Sequence, residues 1–122
     1  MTGEFRFIFR AKDYEASVAF YRDGLELPVV GSWDRGPAER GTLFQAASGI
    51  VEVLALAPGE TYVPPQGMEL GYEVDDVDEW YQRAQKKDLP ISKAIADRPW
   101  GHRTFSVTDP DGIRVILYSI IS

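Results

Sequence analysis

His102 is the only histidine of the chain, and histidine is the residue type that ordinarily titrates near neutral pH. If its segment is a strand, side-chain alternation puts His102, Thr104 and Ser106 on one face. A histidine there can act as a general base or contact a ligand. No serine or cysteine nucleophile stands in a recognisable spacing to it, so a structural or solvent-facing histidine is the alternative interpretation.

Two tryptophans offer a different kind of chemistry. Trp33 and Trp100 lie beside segments that contain glycine and proline, whereas Trp80 belongs to a helical stripe. Indole rings in such places can stack on an aromatic or cationic ligand. They can equally close the end of a sheet or cover a subunit interface, and both interpretations stay open.

Composition limits the class of protein. The chain has 122 residues, no cysteine and a formal net charge of −6. It therefore fits one domain without disulfides or thiolate metal sites, and its acidity argues against nucleic acid as a partner. Negative charge attracts cationic ligands, although solubility alone also accounts for it. The N-terminus is too charged for a signal peptide and no apolar run could span a membrane, so we expect a cytoplasmic protein.

The elements that must position these residues repeat weakly along the chain. Asp13, Gly49 and Ile50 recur at an offset of 63 residues. Each half reads as one strand, one helix and three strands, a βαβββ module of an α+β fold. The predicted strands are 5–11, 27–32, 42–46 and 50–56, then 69–74, 91–95, 103–108 and 113–120. The first module spans about 4–57, the Pro- and Gly-rich linker about 58–67, and the second module about 68–121 of one domain.

Local signals place the helices and one turn. Asp13 and Asp76 are predicted N-caps, and Glu79 adds a capping-box arrangement to the second. The first helix is expected to run to about Asp23 and to stop at Gly24, and the second to stop at 88–90. The tetrapeptide 109–112, Asp-Pro-Asp-Gly, predicts a tight turn between two strands. Residues 33–40 are predicted to form a polar loop.

Four strings resemble the vicinal-oxygen-chelate superfamily, which includes glyoxalase I, extradiol dioxygenases and bleomycin resistance proteins. They are AKDYEASVAFYRDGLEL at 11–27, GIVEVLALAPG at 49–59, GYEVDDVDEWYQRA at 71–84, and the segment from Trp100 to Tyr118 that contains DPDG. The resemblance implies two modules whose sheets curl around a cavity, with the helices outside. It covers nearly the whole chain.

Metal-using members of that superfamily take four ligands, usually His or Gln, Glu, His and Glu. The resemblance places these positions at Arg6, Glu52, Glu69 and Ile116, with Val53 in place of Glu52 if the alignment shifts by one residue. Arginine repels a cation and isoleucine has no donor atom. The chain therefore resembles the metal-free bleomycin resistance branch more closely, which implies no cofactor, no metal and no catalytic residue.

The same branch implies a homodimer that sequesters a cationic or aromatic small molecule in a cleft at the subunit interface. The expected ligand-binding residues are Arg6, Trp33, Glu52, Glu69, Trp100 and His102. Arg6 beside the two glutamates would form a charged cluster, which either orients a ligand or replaces the missing ion structurally. Glu73, on the same strand face as Glu69, is a further acidic candidate.

Two other functions stay open. One is a divergent glyoxalase- or dioxygenase-like metalloenzyme that uses Glu52, Glu69 and His102. The other is an interaction module whose cavity is filled by side chains and whose dimer surface is the working part. The sequence also leaves open whether the two modules pair within one chain or swap between chains.

Overall fold

The computed structural model describes residues 3–121, and the chain divides into two compact units with a boundary between Pro65 and Gln66. The first unit contains, in order, β1 (Arg6–Ala11), α1 (Tyr14–Ala19), a π-helical turn (Phe20–Gly24), β2 (Val29–Asp34), β3 (Arg40–Ala46) and β4 (Gly49–Ala55). The second contains β5 (Glu69–Glu73), α2 (Val77–Lys86), β6 (Ile91–Asp97), β7 (His102–Thr108) and β8 (Arg114–Ile120). The predicted α+β class and the doubled βαβββ order are confirmed.

Each unit has one four-stranded mixed sheet, and the two sheets share a topology. The strand orders are β1-β4-β3-β2 and β5-β8-β7-β6. The first strand of each unit pairs in parallel with the last, and the other neighbours are antiparallel. Ile8 pairs with Glu52 and Gly71 pairs with Ile116, so Glu52 and Ile116 occupy equivalent positions of the two sheets.

Strand β1 has one buried and one exposed face, as its alternating sequence predicts. Phe9 is buried and its ring lies 6.1 Å from the ring of Tyr21, whereas Arg6 and Ile8 are exposed. Burial of the aromatic face supplies most of the free energy that holds such a strand against its helix. Phe5, which precedes the strand, is 73% exposed.

Both predicted N-caps are present. The Asp13 carboxylate accepts a hydrogen bond from the Ala16 amide, and that of Asp76 accepts one from the Glu79 amide. Such bonds satisfy amides that a helix start leaves without partners. The Glu79 side chain pairs with Arg83 one turn later, the i,i+4 arrangement that stabilises exposed helix faces.

The first helix ends in a π-helical turn. The Leu25 amide donates to the Phe20 carbonyl five residues earlier, and Phe20 and Tyr21 at the start of this turn are buried. The helix stops at Gly24 as expected, but the left-handed residue that follows is Glu26, with φ 57°. Gly24 itself does not adopt the left-handed conformation.

The predicted polar loop 33–40 is wrong at both ends. Strand β2 continues through Asp34, because Trp33 pairs with Gly41 and Asp34 pairs with Arg40 across the hairpin. Trp33 is thus a strand residue. The other strand ends lie within two residues of their predicted positions.

The predicted turn between β7 and β8 is confirmed. The Asp109 carboxylate accepts hydrogen bonds from the amides of Asp111 and Ile113 at 2.9 and 2.8 Å, and Gly112 has φ 84°. An aspartate that bonds backbone amides a few residues ahead is a common way to close such turns. Among residues 3–121, no helix is long and apolar enough to cross a membrane.

Candidate ligand site

One face of the second sheet forms a cavity of about 360 Å³ whose lining residues all belong to the second unit. Alternate residues of β5, β8 and β7 provide its floor, because every second side chain of a strand points to the same face. Three of the predicted ligand-binding residues, Glu69, Trp100 and His102, line it. The volume falls within the range of small-molecule pockets.

A tight turn between β6 and β7 carries Trp100 to the rim of the cavity. The Gly101 amide donates to the Arg98 carbonyl at 3.1 Å, and the Arg98 amide donates to the His102 carbonyl at 2.7 Å. Pro99 fixes the start of the turn, and Gly101 adopts φ 91°, which a residue with a side chain rarely does. Trp100 at the tip is 66% exposed, so its ring is available to a ligand.

Two stacked rings are among the residues that line the cavity. The imidazole of His102 and the phenol of Tyr118 are nearly parallel, at 8°, with centroids 4.3 Å apart. The predicted common face of His102, Thr104 and Ser106 is confirmed, since all three line the cavity. Tyr118 was missed in the sequence, although it shares the parity of Ile116 on β8.

Arg98 is a half-buried cation held by neutral groups. Its Nε donates to Thr104 Oγ1 at 2.9 Å, and its Nη2 donates to the Ala94 carbonyl at 3.0 Å. These bonds fix the plane of the guanidinium beside the floor of the cavity. Sequence reasoning missed this residue, because only the hairpin geometry brings it to the sheet face.

Arg114 is also tied in place, but by a carboxylate. Its Nη1 donates to Glu69 Oε2 at 3.0 Å and its Nε donates to Ser106 Oγ at 3.2 Å. The Ser106 hydroxyl in turn shares a 2.8 Å hydrogen bond with Ser92. Glu69 therefore acts as the counter-ion of Arg114 within this unit.

The charge of the cavity is opposite to that of the chain. Lys93, Arg98 and Arg114 line it beside a single carboxylate, Glu69, although the whole chain has a net charge of −6. The attraction for cationic ligands that the net charge suggests therefore does not extend to the side chains that line this cavity. Net charge describes the surface as a whole and not the local field inside a concavity.

The residues at the four metal-ligand positions do not fit a divalent cation. In the first unit Arg6 donates to Glu52 at 2.8 Å and also pairs with Glu4, and both bonds raise the pKa of the Arg6 guanidinium. In the second unit Glu69 is held by Arg114, and the position equivalent to Glu52 is Ile116. Across residues 3–121, no three histidine or carboxylate side chains converge as a metal site would require.

Trp33 lies apart from that cavity in sequence and belongs to a cleft of the first unit. This cleft has a volume of about 430 Å³ and is also lined by Tyr14 and Arg40. The Arg40 guanidinium lies 4.5 Å from the centre of the Tyr14 ring and pairs with Glu15. The charge of Arg40 is therefore already engaged by contacts within the chain. The six predicted residues thus fall into a group of three in one cavity, the pair Arg6 and Glu52, and Trp33.

Comparison with known proteins agrees with this architecture. The family model of the Glyoxalase/Bleomycin resistance protein/Dioxygenase superfamily matches residues 5–117. The chain is similar to the uncharacterized protein YraH of Bacillus subtilis, with 29% identity over 120 residues that cover 89% of this chain and 91% of that protein.

Two solved structures illustrate the shared fold. TioX from Micromonospora sp. ML1 is 20% identical with a TM-score of 0.77, over 98% of this chain and 100% of that one. Lactoylglutathione lyase from Agrobacterium tumefaciens is 22% identical with a TM-score of 0.72, over 98% of this chain and 94% of that one. At these identities the likeness shows a common fold and nothing about a ligand.

Proposed function

The chain belongs to the Glyoxalase/Bleomycin resistance protein/Dioxygenase superfamily, and we propose that it is a metal-free binding protein that sequesters an aromatic small molecule in the cavity of its second unit. The observation that carries this proposal is the stacked pair of His102 and Tyr118 on the cavity wall, with the exposed indole of Trp100 at the rim. Aromatic rings that line a concavity favour an aromatic ligand, because offset and edge-to-face ring contacts add to the burial of apolar area.

The chemistry of the lining favours binding over turnover. Among the described residues the His102 imidazole has no hydrogen-bond partner that would orient it, and the only lining carboxylate, Glu69, is engaged by Arg114. A general base needs a free lone pair within reach of a substrate proton and a partner that orients it. Stoichiometric sequestration is therefore the mode of action we propose, as in the resistance branch that the sequence resembles.

The two alternatives receive less support. A glyoxalase- or dioxygenase-like enzyme would need metal ligands that Arg6 and Ile116 cannot supply, and the likeness to lactoylglutathione lyase extends to the fold only. An interaction module with a vestigial cavity would have this space filled by side chains, whereas the cavity of the second unit is open.

A substitution at Gly71 tests the location of the site. Gly71 lies on the cavity floor, and a Cβ added there would have its nearest neighbours at 3.8 Å, an ordinary contact distance. Gly71→Leu should fill the cavity while the sheet remains intact. Tryptophan fluorescence titration with a panel of aromatic compounds should show saturable binding to the native protein and at least a tenfold loss in the variant.

Gly3→Leu is the matched control, since a Cβ there has nothing within 4 Å. Equal loss of binding in both variants would show that the site lies elsewhere. Thermal unfolding followed by circular dichroism verifies that Gly71→Leu remains folded.

The metal content of the purified protein tests whether it binds without a metal ion. Mass spectrometry of the untagged protein, before and after incubation with nickel, zinc, iron and manganese, should give far less than one ion per chain. One tightly held ion per chain would contradict the metal-free proposal and put substrate screening before ligand screening.

The homodimer and the cytoplasmic location remain proposals of the same kind. Sedimentation equilibrium should give twice the mass of one chain, 13.7 kDa, if the homodimer forms. A monomer at all concentrations would remove the idea of a cleft between subunits but would leave a cavity lined within one unit.

A further inference from the structure

We infer that the ligand is an aromatic compound with an anionic group, and that Arg98 receives this group. The inference rests on the proposed function and adds to it the chemical class of the ligand. It starts from the charges that line the cavity. Glu69 compensates Arg114 at 3.0 Å, which leaves Lys93 and Arg98. Among residues 3–121, no carboxylate lies within ion-pair distance of either.

The environment of Arg98 distinguishes it from a surface arginine. Its partners, Thr104 Oγ1 and the carbonyls of Ala94 and Thr104, are neutral, and its side chain is half-buried. A partly desolvated cation without a counter-ion is costly, and an anion that replaces the lost hydration recovers that cost. In the described part of the chain Nη1 has no hydrogen-bond partner, so the guanidinium keeps a donor for a ligand.

Arg98 is also held in position before any ligand arrives. Its three hydrogen bonds, to the Thr104 hydroxyl and to the carbonyls of Ala94 and Thr104, fix the guanidinium plane, so little side-chain entropy remains to be lost on binding. A planar fork of this kind matches the oxygens of a carboxylate, sulfonate or phosphate better than a lysine does.

The backbone connects this charge to the aromatic wall. Arg98 and His102 close the same turn, through the 2.7 Å bond from the Arg98 amide to the His102 carbonyl. Thr104, which accepts from the guanidinium, pairs in register with Tyr118, the second ring of the stack. The cation and the two rings are thus neighbours on one sheet face, which matches a ligand that carries its anionic group on or beside a flat ring.

Three probes of equal ring and different charge test the inference: α-naphthoate, α-naphthylmethanol and α-naphthylmethylammonium. We expect α-naphthoate to bind at least tenfold more tightly than the neutral alcohol, and the ammonium compound more weakly than both, because charge-assisted hydrogen bonds are the stronger class. Isothermal titration calorimetry at low ionic strength measures all three affinities.

Substitution of Arg98 should remove the preference and not the binding. Arg98→Met should lower the affinity for α-naphthoate about tenfold or more and change that for the alcohol less than threefold. Thr104→Val, which retains the charge and removes the acceptor of Nε, should weaken α-naphthoate binding to a smaller degree. Lys86→Gln is the control, since it removes one positive charge from an exposed position on α2 and should leave all three affinities unchanged.

The outcomes separate the inference from the proposed function. Equal affinities for the three probes, or a preference for the ammonium compound, would overturn the anionic class while aromatic binding stands. A naphthoate preference that survives in a folded Arg98→Met would overturn the role of Arg98. If none of the probes binds, the proposed function itself fails. Thermal unfolding of each variant establishes that it is folded, and Thr104→Val carries the test if Arg98→Met is not.

Discussion

At the scale of single residues, two tyrosine hydroxyls differ in whether they have a hydrogen-bond partner. The Tyr72 hydroxyl is the one buried side-chain polar atom within residues 3–121 that has no hydrogen-bond partner. Burial raises the pKa of this phenol, because the phenolate would be charged in apolar surroundings. Tyr14 in the first unit presents the opposite case, since its hydroxyl shares a 2.6 Å hydrogen bond with Thr42.

Tyrosine-to-phenylalanine substitutions should therefore differ in sign between the two positions. Tyr72→Phe removes an unpaired hydroxyl and should leave the free energy of unfolding unchanged or raise it by about 1 kcal/mol. Tyr14→Phe loses a hydrogen bond and should lower it by about 1 kcal/mol. Urea denaturation measures both, and a substantial loss in Tyr72→Phe would mean that the hydroxyl has a partner.

Pairs of elements are joined by contacts whose partners can be changed one at a time. In the first sheet the ring of Trp33 on β2 lies against Gly41 on β3, and a Cβ at Gly41 would be 2.2 Å from Trp33 Cζ2. In the second unit Arg103 on β7 bonds both Asp78 of α2 and Asp97 of β6. The first contact depends on shape and the second on charge.

Gly41→Ala should displace the Trp33 indole. A Cβ at 2.2 Å from a ring carbon forces the ring or the strand to move, so the free energy of unfolding should fall by about 1–3 kcal/mol. The indole N–H signal of Trp33 should shift in NMR spectra of isotope-labelled protein. Gly71→Ala, whose Cβ meets nothing closer than 3.8 Å, is the matched control; an equally small effect in both variants would contradict the packing argument.

The pair of Asp78 and Arg103 should give the stability a dependence on pH. Hydrogen bonding and charge from Arg103 lower the pKa of Asp78. A depressed folded-state pKa stabilises the protein above the unfolded pKa, and that contribution disappears as pH falls through the lower folded value. Native protein should thus be more stable than Asp78→Asn at neutral pH, and the difference should shrink as pH falls below the ordinary aspartate pKa of about 4.

Urea denaturation across this pH range measures the difference. Asp75→Asn is a suitable control, because the Asp75 carboxylate is exposed and makes no hydrogen bond or ion pair in the described structure. A difference between native protein and Asp78→Asn that stays constant from neutral to acidic pH would show that the pair contributes nothing to stability.

At the scale of the whole molecule, each sheet carries an ion pair between its first strand and its last. Arg6 on β1 pairs with Glu52 on β4, and Glu69 on β5 pairs with Arg114 on β8. Within each unit, the glutamate of the expected cluster is paired with an arginine of the same unit. The acidic and basic partners have exchanged strands between the two units, so the two carboxylates at the former metal-ligand positions, Glu52 and Glu69, are each paired with an arginine.

The features of the fold that the sequence predicted correctly are those that depend on short stretches of the chain. Strand alternation, the caps Asp13 and Asp76 and the turn at 109–112 each depend on a few neighbouring residues. The end of β2 was missed because Trp33 and Asp34 form a strand through their cross-strand partners, a matter of register that their own sequence does not specify.

Only some of the residues that line the candidate site were predicted from the sequence. Glu69, Trp100 and His102 were predicted and line one cavity. Arg98 and Tyr118 were not, because their positions depend on the geometry of a turn and on the pairing of β7 with β8. Net charge was also a poor guide to the cavity, because it sums over the whole chain. The basic residues that line the cavity are outweighed in that sum by acidic residues elsewhere.

The most direct test of the ligand site is an NMR titration of isotope-labelled protein with α-naphthoate, followed at the indole N–H signals of Trp33, Trp80 and Trp100. Binding in the cavity of the second unit predicts that the Trp100 signal shifts and saturates, while the signals of Trp33 and Trp80 stay in place. A saturating shift of Trp33 without Trp100, or no shift at all, would contradict the proposed site.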